Sequence, residues 1–571
     1  GGSEYYFSLP TPGQENRQSF LGFVDEPEFS HERGYYENGF SLTLSCQTSG
    51  ATIRYTTNGT DPTLSNGITY TSPIAISAAT TQGVVVRAAA FKAGYAASAI
   101  KTKTYLMKSS SVLKGLPAVC LSGSPGEVFY NPNGVMAIVG GAWGSNGWYP
   151  ISSTDYNNVI QHNKNFERPV SMEYMRSDRD YEFQEDCGLR VHGSAWMRPR
   201  YTVPPQTGTW WGDNKYSFRL YFRSMYGDTA FNHAVLDQFP EVDKIDTLVL
   251  RAGHNDQSNP FVRDEMIRRL QYAMSGYGSR GTFVNLFING DYKGYYNLCE
   301  RIDEDYCQQW FDSDQKWDIV GWVVPGNTAS YLEARDGDMV AFNAFINYAT
   351  SNNLTNPVYY NEVVRQLDLD EFVDYNIVQT WGGNWDWPHN NWSAAAERSA
   401  NRKWRFFVWD AEGCMDNNTS NDRFGELLNS NGSPLSKLFR ALWANDDFKL
   451  LFCDRLQKHF LEDDGMMSKA RLNSLFWQLA SEVQGVIPNI NRFIPDTYIP
   501  VREDIYFNQC RSRSLFTFAG PRFIINGQDV RQDSVVENTQ VSMQNAAGQS
   551  GDIYYTLDGS DPRLPLGQRF T

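Results

Sequence analysis

The sequence predicts an α+β central domain flanked by all-β modules, and three observations support this prediction. A ten-residue segment at 53–62 recurs in similar form at 553–562. Between the two copies, strand patterns are interspersed with helical patterns. The chain has 571 residues, of which 41% are apolar, which is enough for several folding units. We therefore expect a modular protein whose α+β centre covers residues 108–515.

Each copy of the repeat predicts a strand that ends in a tight turn. Asn-Gly at 58–59 and Asp-Gly at 558–559 favour the positive φ of hairpin turns, and a proline soon after stops ladder pairing. Short strand patterns at 40–46, 69–75 and 84–90 surround the first copy. Together these signals predict immunoglobulin-like antiparallel β-sandwiches at both ends of the chain.

The repeat and the apolar stretch 84–91 resemble the small β-sandwich module found after the catalytic domains of chitobiases and hexosaminidases. The resemblance covers residues 22–107 and, in truncated form, residues 520–571. Segment 8–13, followed by Asn16, resembles the closing part of a lamin-tail-like β-domain. We therefore assign residues 1–21 to the end of such a domain or to a linker, and we expect the chain to be a piece of a longer modular protein.

The centre combines both types of secondary structure. Strand patterns lie at 247–251 and 282–289. Helical patterns cover 261–274, 338–349, 370–380 and 435–460. This mixture is typical of an α+β domain.

Charge and cysteine spacing exclude several classes of partner and site. A net charge of −15 opposes binding to a phosphate backbone, so we expect no nucleic-acid partner. Since no apolar run approaches the roughly 18 residues of a membrane helix, we expect no membrane insertion. The eight cysteines lack CxxC pairs, which excludes zinc-ribbon and thioredoxin sites and leaves disulfide pairing open.

Common catalytic motifs are absent or misplaced. The string GYGSRG at 276–281 matches GxGxxG, but it follows a helix and precedes a strand, the reverse of the order that places a phosphate on a helix N-terminus. It therefore predicts a simple helix-to-strand turn. The chain has no phosphate-loop, HExxH or GxSxG motif, and its seven histidines are not closely spaced.

A polar cluster remains as the candidate site. Asp386 is followed by Asn391, and Asp410 ends an apolar strand pattern. Phosphoryl transfer uses one carboxylate near the attacking hydroxyl, with an Asn and a second carboxylate that hold Mg²⁺. In the alternative interpretation these residues form turns and caps, and Asp386 with Asp410 could also be a glycosidase carboxylate pair.

Several segments in succession resemble the CotH (spore coat protein H) family of protein-kinase-like enzymes, and the run 284–303 is the most specific of them. The matching segments are 188–194 with Arg198 and Arg200, 215–222, 226–227, 250–256, 262–266, 284–303, 384–391 and 408–410. The resemblance implies an atypical protein-kinase-like fold for the centre.

The resemblance also implies roles for individual residues. Asp386 corresponds to the catalytic-loop aspartate, and Asn391 and Asp410 to metal ligands. Lys215 would meet the phosphates of ATP and pair with Glu265, and Arg190 would lie on the nucleotide side. We therefore expect transfer of phosphate from Mg²⁺-ATP to Ser or Thr of an exported or surface protein, at an extracellular or bacterial cell-surface location.

Two other functions stay open. The stretch 196–211, with three prolines and two adjacent tryptophans, replaces a short loop between the glycine turn and Lys215. If it blocks the nucleotide, the centre would be an inactive scaffold in a structural or adhesive surface protein. The chitobiase-like modules and the 14% aromatic content also suggest a glycan partner, since aromatic rings stack on sugars.

Overall fold

The computed structural model describes most of the chain. The described residues are 6–7, 19–77, 83–107, 115–176, 182–194, 197–201, 215–227, 231, 233, 235–236, 245–254, 256, 261–323, 331–430, 432–462, 464–487, 489–516, 520–530, 534–558, 562 and 568–570. The predicted closing segment at 8–16 lies outside them, as do residues 196 and 202–211 of the proline-rich stretch.

The first folded unit is a β-sandwich. Its strands are β1 (Tyr6–Phe7), β2 (Ser19–Phe20), β3 (Glu28–Phe29), β4 (Gly34–Tyr36), β5 (Phe40–Leu42), β6 (Leu44–Ser45), β7 (Thr52–Thr56), β8 (Ile68–Thr69), β9 (Ile74–Ile76), β10 (Val84–Phe91) and β11 (Lys101–Met107). Five of them form the sheet β4-β11-β10-β7-β8, and the pairs β3-β6 and β5-β9 lie apart from it. Leu42, Val86 and Tyr105 belong to its buried core. The predicted strands around the repeat are confirmed, and Gly59 in its turn has φ +81°.

A closed β-barrel follows the sandwich. The strands of this region are β12 (Ala118–Ser122), β13 (Ile138–Val139), β14 (Ala142–Gly144), β15 (Gly147–Tyr149), β16 (Tyr156–Asn157), β17 (Arg168–Met175), β18 (Glu182–His192), β19 (Ser217–Tyr221), β20 (Thr247–Arg251), β21 (Gly281–Ile288) and β22 (Asp291–Glu300). The barrel order is β12-β17-β18-β19-β20-β22-β21. Helix α1 (Arg263–Ser275) connects β20 to β21 through the turn at Gly276, so the GxGxxG string is the predicted helix-to-strand turn.

Strand alternation gives the barrel two different faces. Leu189 and Val191 of β18 lie in the barrel core, as does Leu220 of β19. Their neighbours Arg190 and Arg219 therefore point to the outer face, where they are partners in the β18–β19 register. This outer face looks toward the helical half of the centre.

The helical half contains a four-stranded antiparallel sheet, β24-β23-β25-β26, covered by helices. Its elements are α2 (Glu304–Trp310), β23 (Trp317–Val323), β24 (Tyr331–Asp336), α3 (Val340–Ser351), α4 (Pro357–Arg365), α5 (Leu369–Gly382), β25 (Trp392–Glu397), β26 (Arg405–Val408), α6 (Arg423–Asn429), α7 (Pro434–Trp443), α8 (Asp446–Leu456), α9 (Lys469–Val483) and α10 (Ile499–Arg511). Short 3₁₀ or π turns lie at Pro125–Phe129, Asn158–Ile160, Lys164–Phe166, Arg198–Arg200, Ala411–Gly413, Gln457–Leu461 and Ile494–Tyr498. In the described part of the chain, no helix combines the length and apolar character needed to cross a membrane.

The prediction of one helix over 435–460 is wrong. The structure has α7 and α8 in its place, because the side chain of Asn445 accepts a hydrogen bond from the backbone N of Asp447 and starts a new helix. The predicted α+β class is confirmed. The eight cysteines all lie within the described residues and form no disulfide, which answers the question of disulfide pairing.

The last strands are β27 (Arg522–Ile525), β28 (Gln528–Val530), β29 (Val541–Gln544), β30 (Ile553–Tyr555) and β31 (Gln568–Phe570). The first three form the sheet β28-β27-β29, and the last two pair with each other. Strand β30 begins the second copy of the repeat, at the position that β7 has in the first.

The sandwich packs directly against the barrel. Arg33 donates through Nε to Oε1 of the fully buried Glu173 on β17 (2.9 Å). Tyr35 and Leu106 of the sandwich share an apolar cluster with Phe287 of the barrel. A buried ion pair beside an apolar contact joins the two units in a defined orientation.

Candidate active site

The candidate site lies at the edge of the sheet formed by β25 and β26. Helix α5 ends in a left-handed cap at Gly383 (φ +67°), and the following turn carries Asp386 and Asn391 to the start of β25. Asp410 follows the end of β26. Since Trp392 and Val408 are register partners in this antiparallel pair, the residues before β25 and after β26 must lie close together.

Asp386, Asn391 and Asp410 form one hydrogen-bonded cluster. Nδ2 of Asn391 donates to Oδ2 of Asp386 (2.9 Å) and to the backbone carbonyl of Asp410 (3.1 Å). Nδ2 of Asn390 donates to the same oxygen of Asp386 (3.1 Å). Asn391 and Asp410 both adopt left-handed backbone conformations, with φ +57° and +59°. Left-handed backbone outside glycine carries strain, and such residues cluster at functional sites where the surrounding structure holds them in place.

Arg251 links Asp410 to helix α1. Its Nη2 donates to Oδ1 of Asp410 (2.5 Å) and to Oε1 of Glu412 (2.9 Å), while its Nε lies 3.1 Å from Oδ2 of Asp264. Oδ1 of Asp264 accepts from the backbone N of Ala411 (2.7 Å). Burial raises the pKa of Asp410, and Arg251 opposes this shift.

Lys215 and Glu265 are not paired, contrary to the expected Lys–Glu contact. Nζ of Lys215 donates to the carbonyl of Tyr295 (2.6 Å) and lies 4.6 Å from the ring centroid of Tyr296. Glu265 accepts from Arg268 (2.5 Å) and Arg269 (2.8 Å) on its own helix. These two guanidiniums already pair with the Glu265 carboxylate, which explains why Lys215 is not its partner. Burial lowers the pKa of Lys215 to about 8.

Arg190 lies at a cavity whose lining includes none of Asp386, Asn391 and Asp410. It lines a cavity of about 990 Å³ on the outer face of the barrel and donates through Nη1 to the carbonyl of His162. Its guanidinium carbon lies 5.1 Å from the ring centroid of Tyr221. The structure thus groups Asp386, Asn391 and Asp410, and it places Arg190 beside a separate chamber.

His389 is a neighbour of the cluster that sequence reasoning did not select. Its Nε2 lies 3.3 Å from Oδ1 of Asp386, and its Nδ1 lies 3.7 Å from Oε1 of Glu426. The hydrogen bond to Asp386 raises the pKa of His389 above its ordinary value. The imidazole is 53% exposed, so we expect solvent to screen its contacts strongly.

We expect His389→Ala to lower stability in a pH-dependent way. Because the folded-state pKa of His389 is raised, its contact with Asp386 stabilises fully below the ordinary pKa of about 6.5, and this stabilisation is lost as pH rises through the raised value. The loss at low pH should be at most about 1 kcal/mol for such an exposed pair. Thermal unfolding at a series of pH values measures it. Asn390→Ala, which removes an uncharged contact to the same carboxylate, should give a pH-independent difference, and equal pH profiles would contradict the assignment.

The residues of the cluster fit a magnesium ion in ligand chemistry. Mg²⁺ prefers carboxylate and amide oxygens and keeps several waters. Asn391 makes both of its side-chain hydrogen bonds through Nδ2, and Arg251 contacts only Oδ1 of Asp410. The amide oxygen of Asn391 and Oδ2 of Asp410 are therefore the natural ligands. Over the described ranges, no group of three or more His, Cys, Asp and Glu residues could hold a metal ion, so binding here would depend on the Asn oxygen.

Sequence reasoning had signals for some of the other residues in the site. Arg251 and Asp264 lie in the family-like segments 250–256 and 262–266, and in the structure they form an ion pair. Glu412 follows Asp410 by two residues, a spacing that could have suggested a second acidic partner.

Comparisons with known proteins agree with the described architecture. Residues 206–489 match the family model described as CotH kinase protein. Residues 42–105 match the model described as Fn3 associated. No curated protein matches the chain. The first match includes the whole cluster from Asp386 to Glu412 and the second lies within the β-sandwich.

Proposed function

We propose that this chain, whose residues 206–489 match the family model described as CotH kinase protein, transfers phosphate from ATP to a Ser or Thr hydroxyl of an exported or surface protein. The observation that supports this proposal most is the convergence of Asp386, Asn391 and Asp410 in one hydrogen-bonded cluster. An extracellular or bacterial surface location is part of the same proposal.

Each residue of the cluster has a role in the proposed reaction. Asp386 accepts the proton of the attacking hydroxyl, while the γ-phosphate leaves ADP and forms an ester with the hydroxyl oxygen. Asn391 and Asp410 would hold Mg²⁺, which when bound neutralises charge on the ATP phosphates. The two hydrogen bonds from Asn390 and Asn391 orient Asp386 through Oδ2 and leave Oδ1 to face the hydroxyl or His389.

A second candidate function is a catalytically inactive scaffold. Arg251 contacts the candidate metal ligand Asp410, and a cation at that position competes with Mg²⁺. Lys215 is bound to a backbone carbonyl. The buried Arg33–Glu173 ion pair between sandwich and barrel also suits a rigid structural unit.

Calorimetric titration with ATP, with and without Mg²⁺, separates the two functions. For the kinase we expect Mg²⁺-dependent binding that Asp410→Ala abolishes. Asp446→Ala, which removes a carboxylate that is 94% exposed on α8, should leave binding unchanged. If neither the wild type nor the control binds ATP under any condition, the scaffold is the correct function.

A further inference from the structure

A cavity on the outer face of the barrel, here called the arginine chamber, is lined by Arg190, Arg219, Arg301 and Arg335, with Arg223 as a fifth arginine beside Glu167. The cavity of about 990 Å³ is bounded by the outer face of β18 and β19, by the segment after β22, and by β24. These elements contribute Arg190, Arg219, Arg301 and Arg335 respectively. Arg190 and Arg219 are directly opposite each other in the β18–β19 register. Two barrel strands, the segment after β22 and one strand of the helical half thus bring guanidinium groups to one cavity.

These guanidiniums are close enough to repel one another. Burial lowers the pKa of Arg335 to about 10, and the charge of Arg219 adds to the shift. Burial lowers the pKa of Arg301 as well, with further contributions from Arg219 and Arg335. Buried like charges cost free energy unless an opposite charge compensates them.

The carboxylates around the chamber compensate this charge only in part. Asp303 lies 3.3 Å from Nη2 of Arg219 and also caps α2 by accepting from the backbone N of Tyr306. Burial, with the neighbouring charge of Asp303, raises the pKa of Asp246 to about 9, which weakens its ability to compensate the arginines. Asp336 has a raised pKa as well, because it is buried.

The other acidic residues that line the cavity pair with different groups or are exposed to solvent. Glu167 accepts from the hydroxyl of Tyr226 (3.1 Å) and lies 3.4 Å from Arg223. Glu304 accepts from Nζ of Lys316 (2.6 Å). The remaining acidic lining residues are exposed to solvent, and they are Asp305, Asp312 and Asp314.

Among the chamber arginines, Arg301 has the fewest polar contacts in the described part of the chain. Within the part of the chain that the structure describes, it makes no ion pair or hydrogen bond, and its contact is with the ring of Trp409 at 5.7 Å. Arg335 has one hydrogen bond, from Nη1 to Oγ of Ser393 (2.7 Å). Both guanidiniums thus keep donors that can serve a ligand in the cavity.

We propose that the arginine chamber binds a ligand carrying two or more linked phosphate groups. A guanidinium offers a planar fork of donors that matches phosphate oxygens, and several such forks around one cavity suit a polyphosphate better than a neutral nucleobase. The ring of Trp409 contacts both Arg301 of the chamber and Arg251 of the candidate active site. The chamber is therefore a neighbouring site, and the proposal stands whether or not Asp386 takes part in phosphate transfer.

Titration with different compounds distinguishes two sources of such a ligand. Inorganic tripolyphosphate represents a free polyphosphate, ADP represents a nucleotide whose phosphates enter the chamber, and adenosine represents the nucleobase alone. Titrations in EDTA exclude metal-dependent binding at Asn391 and Asp410. We expect tripolyphosphate to bind with a stoichiometry of one and to weaken at high salt, and adenosine not to bind. Comparable binding of ADP would identify a nucleotide as the source, and weaker binding of ADP would favour a free polyphosphate.

Substitutions of single arginines test where the anion binds. Arg301→Gln and Arg335→Gln should each weaken tripolyphosphate binding by about tenfold or more, because each removes a charge-assisted hydrogen bond. Arg492→Gln, which changes a guanidinium that is 60% exposed outside the cavity, should have no effect. Asp410→Ala should keep metal-free binding even where it abolishes Mg²⁺-dependent ATP binding, which separates this proposal from the kinase proposal.

A thermal-shift measurement keeps the test decisive if a variant folds poorly. Tripolyphosphate in EDTA should raise the Tm of the wild type and of Arg492→Gln. No binding to the wild type, unchanged affinity in both chamber variants, loss of metal-free binding in Asp410→Ala, or binding of adenosine as tight as that of ADP would each overturn the proposal.

Discussion

Asp386→Asn should lower the rate of phosphate transfer by about 10² to 10⁴-fold while leaving Mg²⁺-ATP binding in place. General-base assistance contributes about this much to enzymatic proton transfer, and an amide cannot accept the hydroxyl proton. The amide oxygen can still accept the hydrogen bonds that Asn390 and Asn391 donate to Oδ2, so the turn should keep its geometry. Incorporation of labelled phosphate into a Ser- and Thr-containing peptide library measures the rate, and calorimetry measures binding.

Asp446→Asn is the matched control for this change, since it makes the same substitution at a carboxylate that is 94% exposed on α8. Retained transfer in Asp386→Asn would show that Asp386 is not the base. Loss of the folded state in Asp386→Asn, with Asp446→Asn unaffected, would support the alternative in which Asp386 is a turn residue only.

The spacing of the polar cluster could be predicted from the sequence because it depends on local connectivity. Asp386 and Asn391 lie on one turn, and Asp410 ends a strand that pairs with the strand after that turn. The partner of Lys215 could not be predicted, because it is a backbone carbonyl at Tyr295, 80 residues away. The partners of Glu265 were visible in principle, since Arg268 and Arg269 follow it at the i+3 and i+4 positions of a helix.

In the fold as well, features set by local sequence could be predicted and features set by long-range pairing could not. Helices α1, α3 and α5 were predicted within a few residues, because their apolar periodicity is local. The closed barrel was not predicted, since its closure depends on the parallel pairing of β12 with β21, which are far apart in sequence. The arginine chamber was missed for a similar reason, because Arg190, Arg219, Arg301 and Arg335 come from four separate parts of the chain.

Arg268→Ala should destabilise the central domain by about 3–5 kcal/mol, the usual cost of removing one partner from a buried ion pair. Arg268 is fully buried, and its guanidinium donates to Asp264 (3.0 Å), Glu265 (2.5 Å), the carbonyl of Ser279 (2.9 Å) and Asn297 (2.5 Å). Without Arg268, the charged partners of Asp264 and Glu265 among the described residues are Arg251 and Arg269. Urea unfolding followed by tryptophan fluorescence measures the shift.

Arg365→Ala is the control, because Arg365 makes the same i,i+3 contact to Glu362 (2.7 Å) on a helix surface and is 55% exposed. It should cost at most about 1 kcal/mol. The ion pairs hold the pKa of Asp264 and of Glu265 below their ordinary values against the effect of burial. The stability that they contribute is therefore present above the ordinary carboxyl pKa and lost as pH falls through the lowered values, so the difference between wild type and Arg268→Ala should narrow in acid. Equal effects of the two substitutions, or a difference that widens in acid, would contradict this role.

The Arg268 network also connects stability to the candidate active site. Oδ1 of Asp264 accepts a hydrogen bond from the backbone N of Ala411, the residue after Asp410. Oδ2 of Asp264 lies between Arg251 and Arg268. Without Arg268, Arg251 is the remaining cation beside Asp264. Asp264 then draws Arg251 away from Asp410 and Glu412. We therefore expect Arg268→Ala to change Mg²⁺-dependent ATP binding as well as stability, whereas Asp386→Asn changes transfer alone. The contrast between these two variants separates residues that build the site from the residue that acts in it.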